Sequence, residues 1–218
     1  YVFDLDWQLP DVDLAGVRHV HFGSIGAALP PGAESVQRLA RRARDTGLTT
    51  SYDPNLRPGL IGAAEQERPV VEELVRRSTV VKASDEDVAW LYAGTSTPDP
   101  MVAAARWATT GPRLVVLTRG SAGAVAWRGG SCDEPLTLSA PVVDVVDTVG
   151  AGDAFMAGLL SGLLDAGLLG IDDARRTDAH GTRAWSSDDV TPALQRALQV
   201  AALTCARHGA DPPRRDQL

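Results

Sequence analysis

Two patterns of hydrophobic and polar positions alternate along the chain, and each predicts a different element of secondary structure. Short apolar runs bounded by Gly, Pro or polar residues predict strands, and apolar residues three and four positions apart predict amphipathic helices. The predicted strands cover residues 1–7, 17–22, 48–52, 78–82, 114–117, 124–127 and 136–139. The predicted helices cover residues 34–46, 65–77, 101–109 and 190–207, and two more begin at Ser84 and after the loop at 147–152. A polar loop is predicted over 172–189.

Strands that alternate with helices predict a largely parallel sheet, because each parallel connection must cross one face of the sheet. The predicted fold class is therefore α/β, a sandwich whose mostly parallel sheet is flanked by helices on both faces. No internal repeat or linker divides the sequence, which predicts one domain over 1–218. Sheets of this kind bind ligands at the carboxyl ends of their strands. The candidate site loops are therefore those after Tyr52, Val81 and Leu117.

Composition argues against some classes of partner. The formal net charge of −7 over 218 residues argues against a nucleic acid or an anionic membrane held by bulk electrostatic attraction. Cys132 and Cys205 lack metal-ligand spacing, so we expect free thiols in a reducing compartment. No apolar run reaches the roughly 18 residues of a membrane span, and we expect a cytoplasmic protein. The sequence begins with Tyr1 in a strand-like stretch, and we expect that a front part is missing.

The strongest chemical signal is D-T-V-G-A-G-D at 147–153, where a glycine-containing loop opens a predicted helix. Unpaired backbone N–H groups and the positive end of the helix dipole make such a helix start an anion-binding site. Glycine lets the main chain approach the anion closely. Asp153 adds a carboxylate in the first turn, which suits a base that takes a proton from a group about to meet the anion. The open alternative is a tight turn followed by a capping aspartate.

Five short motifs follow one another in a characteristic order. They are D-P-N-L-R at 53–57, K-A-S-D-E-D at 82–87, L-T-R-G-S-A-G at 117–123, D-T-V-G-A-G-D at 147–153 and R-H-G-A-D at 207–211. This set resembles the ribokinase-like (PfkB-type) carbohydrate kinases over essentially the whole chain, and within that family it looks most like the fructokinases. The resemblance implies a three-layer α/β sandwich that phosphorylates a sugar hydroxyl with ATP and Mg²⁺.

The resemblance also implies roles for the residues of the 147–153 motif. Asp153 would be the base that contacts the sugar and accepts the proton of its hydroxyl. The backbone N–H groups of Gly150, Ala151 and Gly152 would hold the γ-phosphoryl oxygens as they gain negative charge.

Two further acidic residues would organise cations. Asp87 would act on Mg²⁺ largely through water, although the family usually has Asn-x-x-Glu where this chain has Ser84 and Asp87. Asp147, with the carbonyl of Val149, matches a site for K⁺ in relatives. Each has a structural alternative, because Ser84 and Asp87 also suit a helix cap and Asp147 suits an Asx-turn.

Substrate and nucleotide contacts are implied at the remaining motifs. Asn55 and Arg57 match the substrate loop, where arginine offers fixed donors to sugar oxygens or to a carboxylate. The alternative there is a Pro-flanked turn with a surface arginine. The implied nucleotide-binding residues are Ser84, Thr118, Gly120, Gly123, His208 and Gly209. Their alternatives are an ordinary β-turn over 118–123 and a histidine that complements a helix dipole.

The family also carries a glycine-rich opening segment and a small β-sheet lid, and neither is found in this sequence. We therefore expect this chain to hold the phosphoryl-transfer half of the site and little of the sugar-binding half. Because many relatives dimerise through the lid, a homodimer is expected for the protein. Three hypotheses follow: a fructokinase-like kinase, a kinase for a sugar acid such as 2-keto-3-deoxygluconate, and a non-catalytic module that binds nucleotide or sugar.

Overall fold

The computed structural model describes residues 7–130, 134–170 and 185–218. Three sequence-based predictions therefore lie outside the described residues, namely the strand at 1–6, the free thiol of Cys132 and the polar loop as far as residue 184. Cys205, which is described, is a free thiol. None of the described helices is long and apolar enough to cross a membrane.

A six-stranded sheet forms the centre of the described structure. Its strands are β1 (His19–Gly23), β2 (Thr49–Asp53), β3 (Val80–Ser84), β4 (Leu114–Thr118), β5 (Ala124–Arg128) and β6 (Leu136–Leu138). They lie side by side in chain order, with β1 to β4 parallel and β5 antiparallel to both of its neighbours. The predicted α/β class with a mostly parallel sheet is confirmed.

The helices match the predicted ones with small differences at their ends. They are α1 (Ser24–Ala28), α2 (Gly32–Asp45), α3 (Ala64–Arg76), α4 (Asp85–Tyr92), α5 (Pro100–Ala108), α6 (Ala151–Asp165) and α7 (Ser187–Cys205). Short 3₁₀ turns cover Gly120–Ala122 and Arg215–Gln217. Helix α1 was not predicted, because its five residues, S-I-G-A-A, are too few to produce a helical period.

The last helix begins three residues earlier than predicted, because a polar stretch that was assigned to a loop forms its cap. The Asp189 N–H donates to Ser186 Oγ at 3.1 Å, and the Ser186 N–H donates to Asp189 Oδ2 at 2.8 Å. This reciprocal pair is a capping box, which satisfies backbone donors at the start of a helix.

Helices cover both faces of the sheet, which gives the expected three layers. Alternate residues of each strand face opposite sides, so Val81 and Val115 belong to one buried cluster while Val80, Leu114 and Val116 belong to the other. Residues of α1 to α5 complete the first cluster, and residues of α6 and α7 complete the second. The second layer thereby fixes the start of α6 above the sheet.

Candidate active site

The carboxyl ends of the four parallel strands meet at one edge of the sheet. The register places Gly23 at the end of β1 beside Asp53 at the end of β2, and Ser84 at the end of β3 beside Thr118 at the end of β4. The three loops predicted to carry the site therefore leave the sheet at the same edge. The 147–153 motif joins this edge through α6.

The start of α6 offers backbone donors together with an accessible carboxylate. Gly150 caps the helix in the left-handed region at φ 77°, and Ala151 N–H donates to Thr148 O at 3.2 Å. The N–H groups of Gly152 and Asp153 have no acceptor among the described residues. Both residues are exposed. An anion at this position would thus meet free N–H groups beside the Asp153 carboxylate.

Asp147 ties this loop to the segment that follows α7. Its Oδ1 accepts the Val149 N–H at 3.0 Å, and its Oδ2 accepts the Gly209 N–H at 2.9 Å. These two N–H groups lower the pKa of Asp147 below its ordinary value. The bond to Val149 is the Asx-turn that we gave as the alternative for this aspartate, and the bond to Gly209 brings the exposed His208 close to the loop.

A buried ion pair that was not predicted from the sequence joins β2 to β3 near the loop at 147–152. Lys82 Nζ lies 2.9 Å from Asp53 Oδ2, and each side chain is 5% exposed. Burial raises the pKa of Asp53, and the Lys82 ammonium opposes this rise. The available signal was a lysine inside the apolar run V-V-K-A, because lysine is rarely buried without a partner.

Ser84 and Asp87 form the predicted helix cap, and Asp87 also reaches the neighbouring loop. The Asp87 N–H donates to Ser84 Oγ at 3.0 Å, and Asp87 Oδ1 accepts the Leu56 N–H at 3.2 Å. Burial is the main cause that raises the pKa of Asp87, while its hydrogen bond with Ser84 opposes it. These bonds hold the loop after β2 against the start of α4.

The D-P-N-L-R loop folds back on itself. Arg57 Nη1 donates to Asn55 Oδ1 at 2.7 Å and to Leu56 O at 2.9 Å, with Asn55 in the left-handed region at φ 40°. Arg57 is exposed. The described contacts of both residues therefore lie within their own loop and with Ser24, whose Oγ donates to Asn55 O at 3.4 Å.

The loop after β4 combines a tight turn with one open glycine. The Thr118 hydroxyl donates to Ala83 O at 3.3 Å, and Arg119 N–H donates to Gly123 O at 2.8 Å. Gly123 is buried against the backbone of Leu138, whereas Gly120 is exposed and faces open space. A 3₁₀ turn over Gly120–Ala122 thus stands where we gave a β-turn as the alternative, and Gly120 is its accessible residue.

A row of polar side chains on β1 and β2 extends the site and was also missed. Ser51 Oγ lies 2.8 Å from His19 Nε2 and 2.8 Å from His21 Nδ1. Desolvation lowers the pKa of His19 to about 4, with a further contribution from His21. Desolvation also lowers the pKa of His21. The charge of Asp153 opposes this shift, and the charge of Lys82 adds to it. The signal was H-V-H in a strand, because positions i and i+2 face the same side.

The comparisons with known proteins agree with this arrangement. The family model for pfkB family carbohydrate kinases matches residues 3–217. A fructokinase from Rhizobium leguminosarum bv. trifolii is 38% identical over 144 residues, which are 66% of this chain and 42% of that protein. A fructokinase from Vibrio alginolyticus is 35% identical over 192 residues, covering 88% of this chain and 55% of that protein.

Solved structures show the same fold. Aminoimidazole riboside kinase from Salmonella enterica, complexed with aminoimidazole riboside and an ATP analog, superposes with a TM-score of 0.69 at 26% identity over 88% of this chain and 57% of its own. The chain spans about half the length of the curated relatives it matches. With a family match over nearly its whole length, and with its loop and strand ends arranged as described, the chain belongs to the pfkB family of carbohydrate kinases.

Proposed function

We propose that this protein is a fructokinase-like kinase that transfers the γ-phosphoryl group of ATP to a sugar hydroxyl, with fructose as the first acceptor to test. The observation that carries the proposal is the first turn of α6. There the exposed Asp153 carries a carboxylate next to the exposed residue Gly152, whose N–H has no acceptor among the described residues. The fructokinase relatives support the acceptor, and the Salmonella kinase complexed with an ATP analog supports the nucleotide.

The chemistry follows from these two groups. The sugar hydroxyl oxygen forms a bond to the γ-phosphorus while the bond from that phosphorus to the β–γ bridging oxygen breaks. The hydroxyl proton passes to the Asp153 carboxylate, and ADP leaves with the bridging oxygen. The N–H groups at the start of α6 donate to the phosphoryl oxygens, and the helix dipole adds to this stabilisation.

Cations would enter this site mainly with the nucleotide. The described residues contain no group of three or more His, Cys, Asp or Glu side chains that could hold a metal ion. That fits Mg²⁺, which usually keeps several waters and binds nucleotide phosphates with few protein ligands, and which neutralises charge on those phosphates. Asp87, already engaged with the Leu56 N–H, would act through water. K⁺ would meet Asp147 and the carbonyl of Val149.

The two substrates would lie on opposite sides of the loop at 147–152, which we call the anion loop. Asn55 and Arg57 lie at the end of β2 and would contact the sugar, while the nucleotide would lie along the ends of β3 and β4 and the segment after α7. The residues proposed for the nucleotide are Ser84, Thr118, Gly120, Gly123, His208 and Gly209. A homodimer stays a prediction from the resemblance, and a cytoplasmic location stays a prediction from the cysteines and the apolar pattern of the sequence.

A sugar acid is the second acceptor to consider, because the exposed guanidinium of Arg57 suits a carboxylate. Initial rates of ADP formation with fructose, ribose and 2-keto-3-deoxygluconate compare the acceptors directly. We expect the highest kcat/KM with fructose, and a preference for the sugar acid would reassign the substrate. If no sugar yields ADP while ATP still binds, the protein is a binding module.

The role of Asp153 has a direct test. Asp153→Asn removes the proton acceptor and keeps the shape of the side chain. We expect kcat to fall by about 10²–10⁴-fold, with ATP binding retained in calorimetry.

Asp188→Asn provides the matched control, because Asp188 is an exposed aspartate in the first turn of α7. It removes the same charge from another helix start and should leave kcat unchanged. Full activity of the Asp153→Asn protein would rule out the proposed base.

A further inference from the structure

The ion pair between Lys82 and Asp53 is costly for the fold. Both residues are 4% exposed, and Asp53 Oδ1 is buried without a hydrogen-bond partner. Removing two charges from water costs more than their attraction usually returns, and apolar residues of similar volume are often at least as stable. An unsatisfied buried carboxylate oxygen adds to that cost. Stability of the core therefore does not account for this pair.

The Lys82 ammonium lies close to the anion loop. A Cβ atom on Gly152 would lie 3.0 Å from Lys82 Nζ, and no other described atom outside the local chain comes within 4 Å of that point. The ammonium end of the pair thus faces the first turn of α6, while no atom of the Asp53 carboxylate lies within 4 Å of the same Cβ position. A side chain at position 152 would press against the ammonium, so the glycine and the lysine fit one another.

The composition of the chain singles out this lysine. Lys82 is the only lysine among the 21 Lys and Arg residues of the sequence. Arginine is a planar fork, whereas the lysine ammonium is a compact point charge. Position 82 lies inside β3, next to the Asp53 carboxylate and close to the main chain of Gly152. The compact ammonium of lysine suits this narrow space better than a planar guanidinium.

We propose that Lys82 is a positioning residue for phosphoryl transfer: held by Asp53, its ammonium supports the Gly152 main chain and supplies positive charge beneath the oxygens of the transferred group. This inference rests on the proposed kinase function. A positive charge beside the phosphoryl oxygens stabilises the transition state more than the ground state, because those oxygens gain negative charge on transfer.

Kinetics of a neutral pair test the inference. Lys82→Met alone would leave Asp53 buried and unpaired, so the test variant is Lys82→Met with Asp53→Asn, which removes both charges and keeps similar volumes. We expect kcat to fall by about 10- to 100-fold while the KM values for ATP and fructose change by less than about threefold. A purely structural pair would instead return wild-type kcat once the variant is shown to fold by its thermal melt.

A second measurement needs neither a variant nor turnover. Labelling with ¹⁵N-lysine gives this chain one side-chain ammonium signal, which belongs to Lys82. We expect ADP, fructose and aluminium fluoride together, which imitate the transferred phosphoryl group, to shift that signal. ADP and fructose without aluminium fluoride should shift it much less. A lysine with only a structural role would give the same signal in both mixtures.

An exposed ion pair supplies the control. Arg38 and Glu34 on α2 have side chains that are 57% and 78% exposed, and Arg38→Met with Glu34→Gln removes the same two charges far from buried surroundings. This variant should keep wild-type kinetics. An unmoved lysine signal together with wild-type kcat in the Lys82→Met, Asp53→Asn protein would overturn the inference. Absence of sugar-dependent ADP formation by the unmodified protein would overturn the kinase function instead, and the ¹⁵N signal would still report on Lys82.

Discussion

At the scale of single residues, the candidate site depends on two glycines with different neighbours. Gly150 holds the left-handed conformation that begins α6, and a Cβ there would lie 2.7 Å from the Cβ of Ala210. Gly152 leaves room for the Lys82 ammonium. The sequence indicated glycines for close approach to an anion, because that chemistry is local to the motif. It did not indicate Ala210 or Lys82 as neighbours, because those contacts depend on which elements pack together.

Gly150→Ala measures the first of these constraints. The substitution strains φ and brings the new methyl group against Ala210, so the free energy of unfolding should fall. Gly16→Ala is the matched control, because Gly16 has nearly the same φ of 75° and nothing within 4 Å of its Cβ position. We expect Gly150→Ala to cost about 1–3 kcal/mol more than the control, as overpacking does, in urea denaturation. Equal losses would mean that Ala210 moves aside freely.

At the scale of elements, the sequence pattern predicted six of the seven described helices and all six described strands to within a few residues, because buried faces impose a period of 2 or 3.6. Side-chain contacts between neighbouring strands could not be predicted from the sequence. The contacts of Ser51 with two histidines, and of Lys82 with Asp53, required knowing that β2 lies between β1 and β3. A single sequence contains the polar residues but not the order of the strands.

The contact between β1 and β2 predicts an acid-sensitive stability. His19 has a pKa of about 4 in the folded protein, against 6.5 for a free histidine. The unfolded chain therefore takes up a proton between these values that the folded protein does not, so stability is complete above pH 6.5 and is lost as the pH falls towards 4. Between pH 7 and pH 5 the loss from this group should be up to about 2 kcal/mol.

Urea denaturation at both pH values measures this loss. His19→Gln should remove the part of this dependence that His19 contributes, since glutamine does not titrate, and should leave the part that comes from His21, whose pKa is also lowered by burial. The same change at the exposed His208 should leave the dependence as it is in the unmodified protein. An identical pH dependence in the His19→Gln protein would contradict the assignment.

At the scale of the whole molecule, two apolar layers pack on the two faces of the sheet, and the candidate functional groups lie at one edge of it. The layers follow from alternation along the strands, which sequence displays directly. The hydrogen bond between Gly209 N–H and Asp147 brings the segment after α7 to that edge. The family resemblance implied that His208 and Gly209 bind the nucleotide, but this bond was not predicted. The assignment of residues to a sugar side and a nucleotide side of the site also comes from the family resemblance.

The single buried lysine also gives the chain one natural reporter of global opening. A protease that cuts only after lysine has one target bond here, between Lys82 and Ala83, in a strand with neighbours on both sides. Fraying of loops or ends should leave that bond intact, because cleavage requires the centre of the sheet to separate. We expect the cleavage rate to rise with urea in parallel with global unfolding. Rapid cleavage under native conditions would reveal that β3 leaves the sheet by itself.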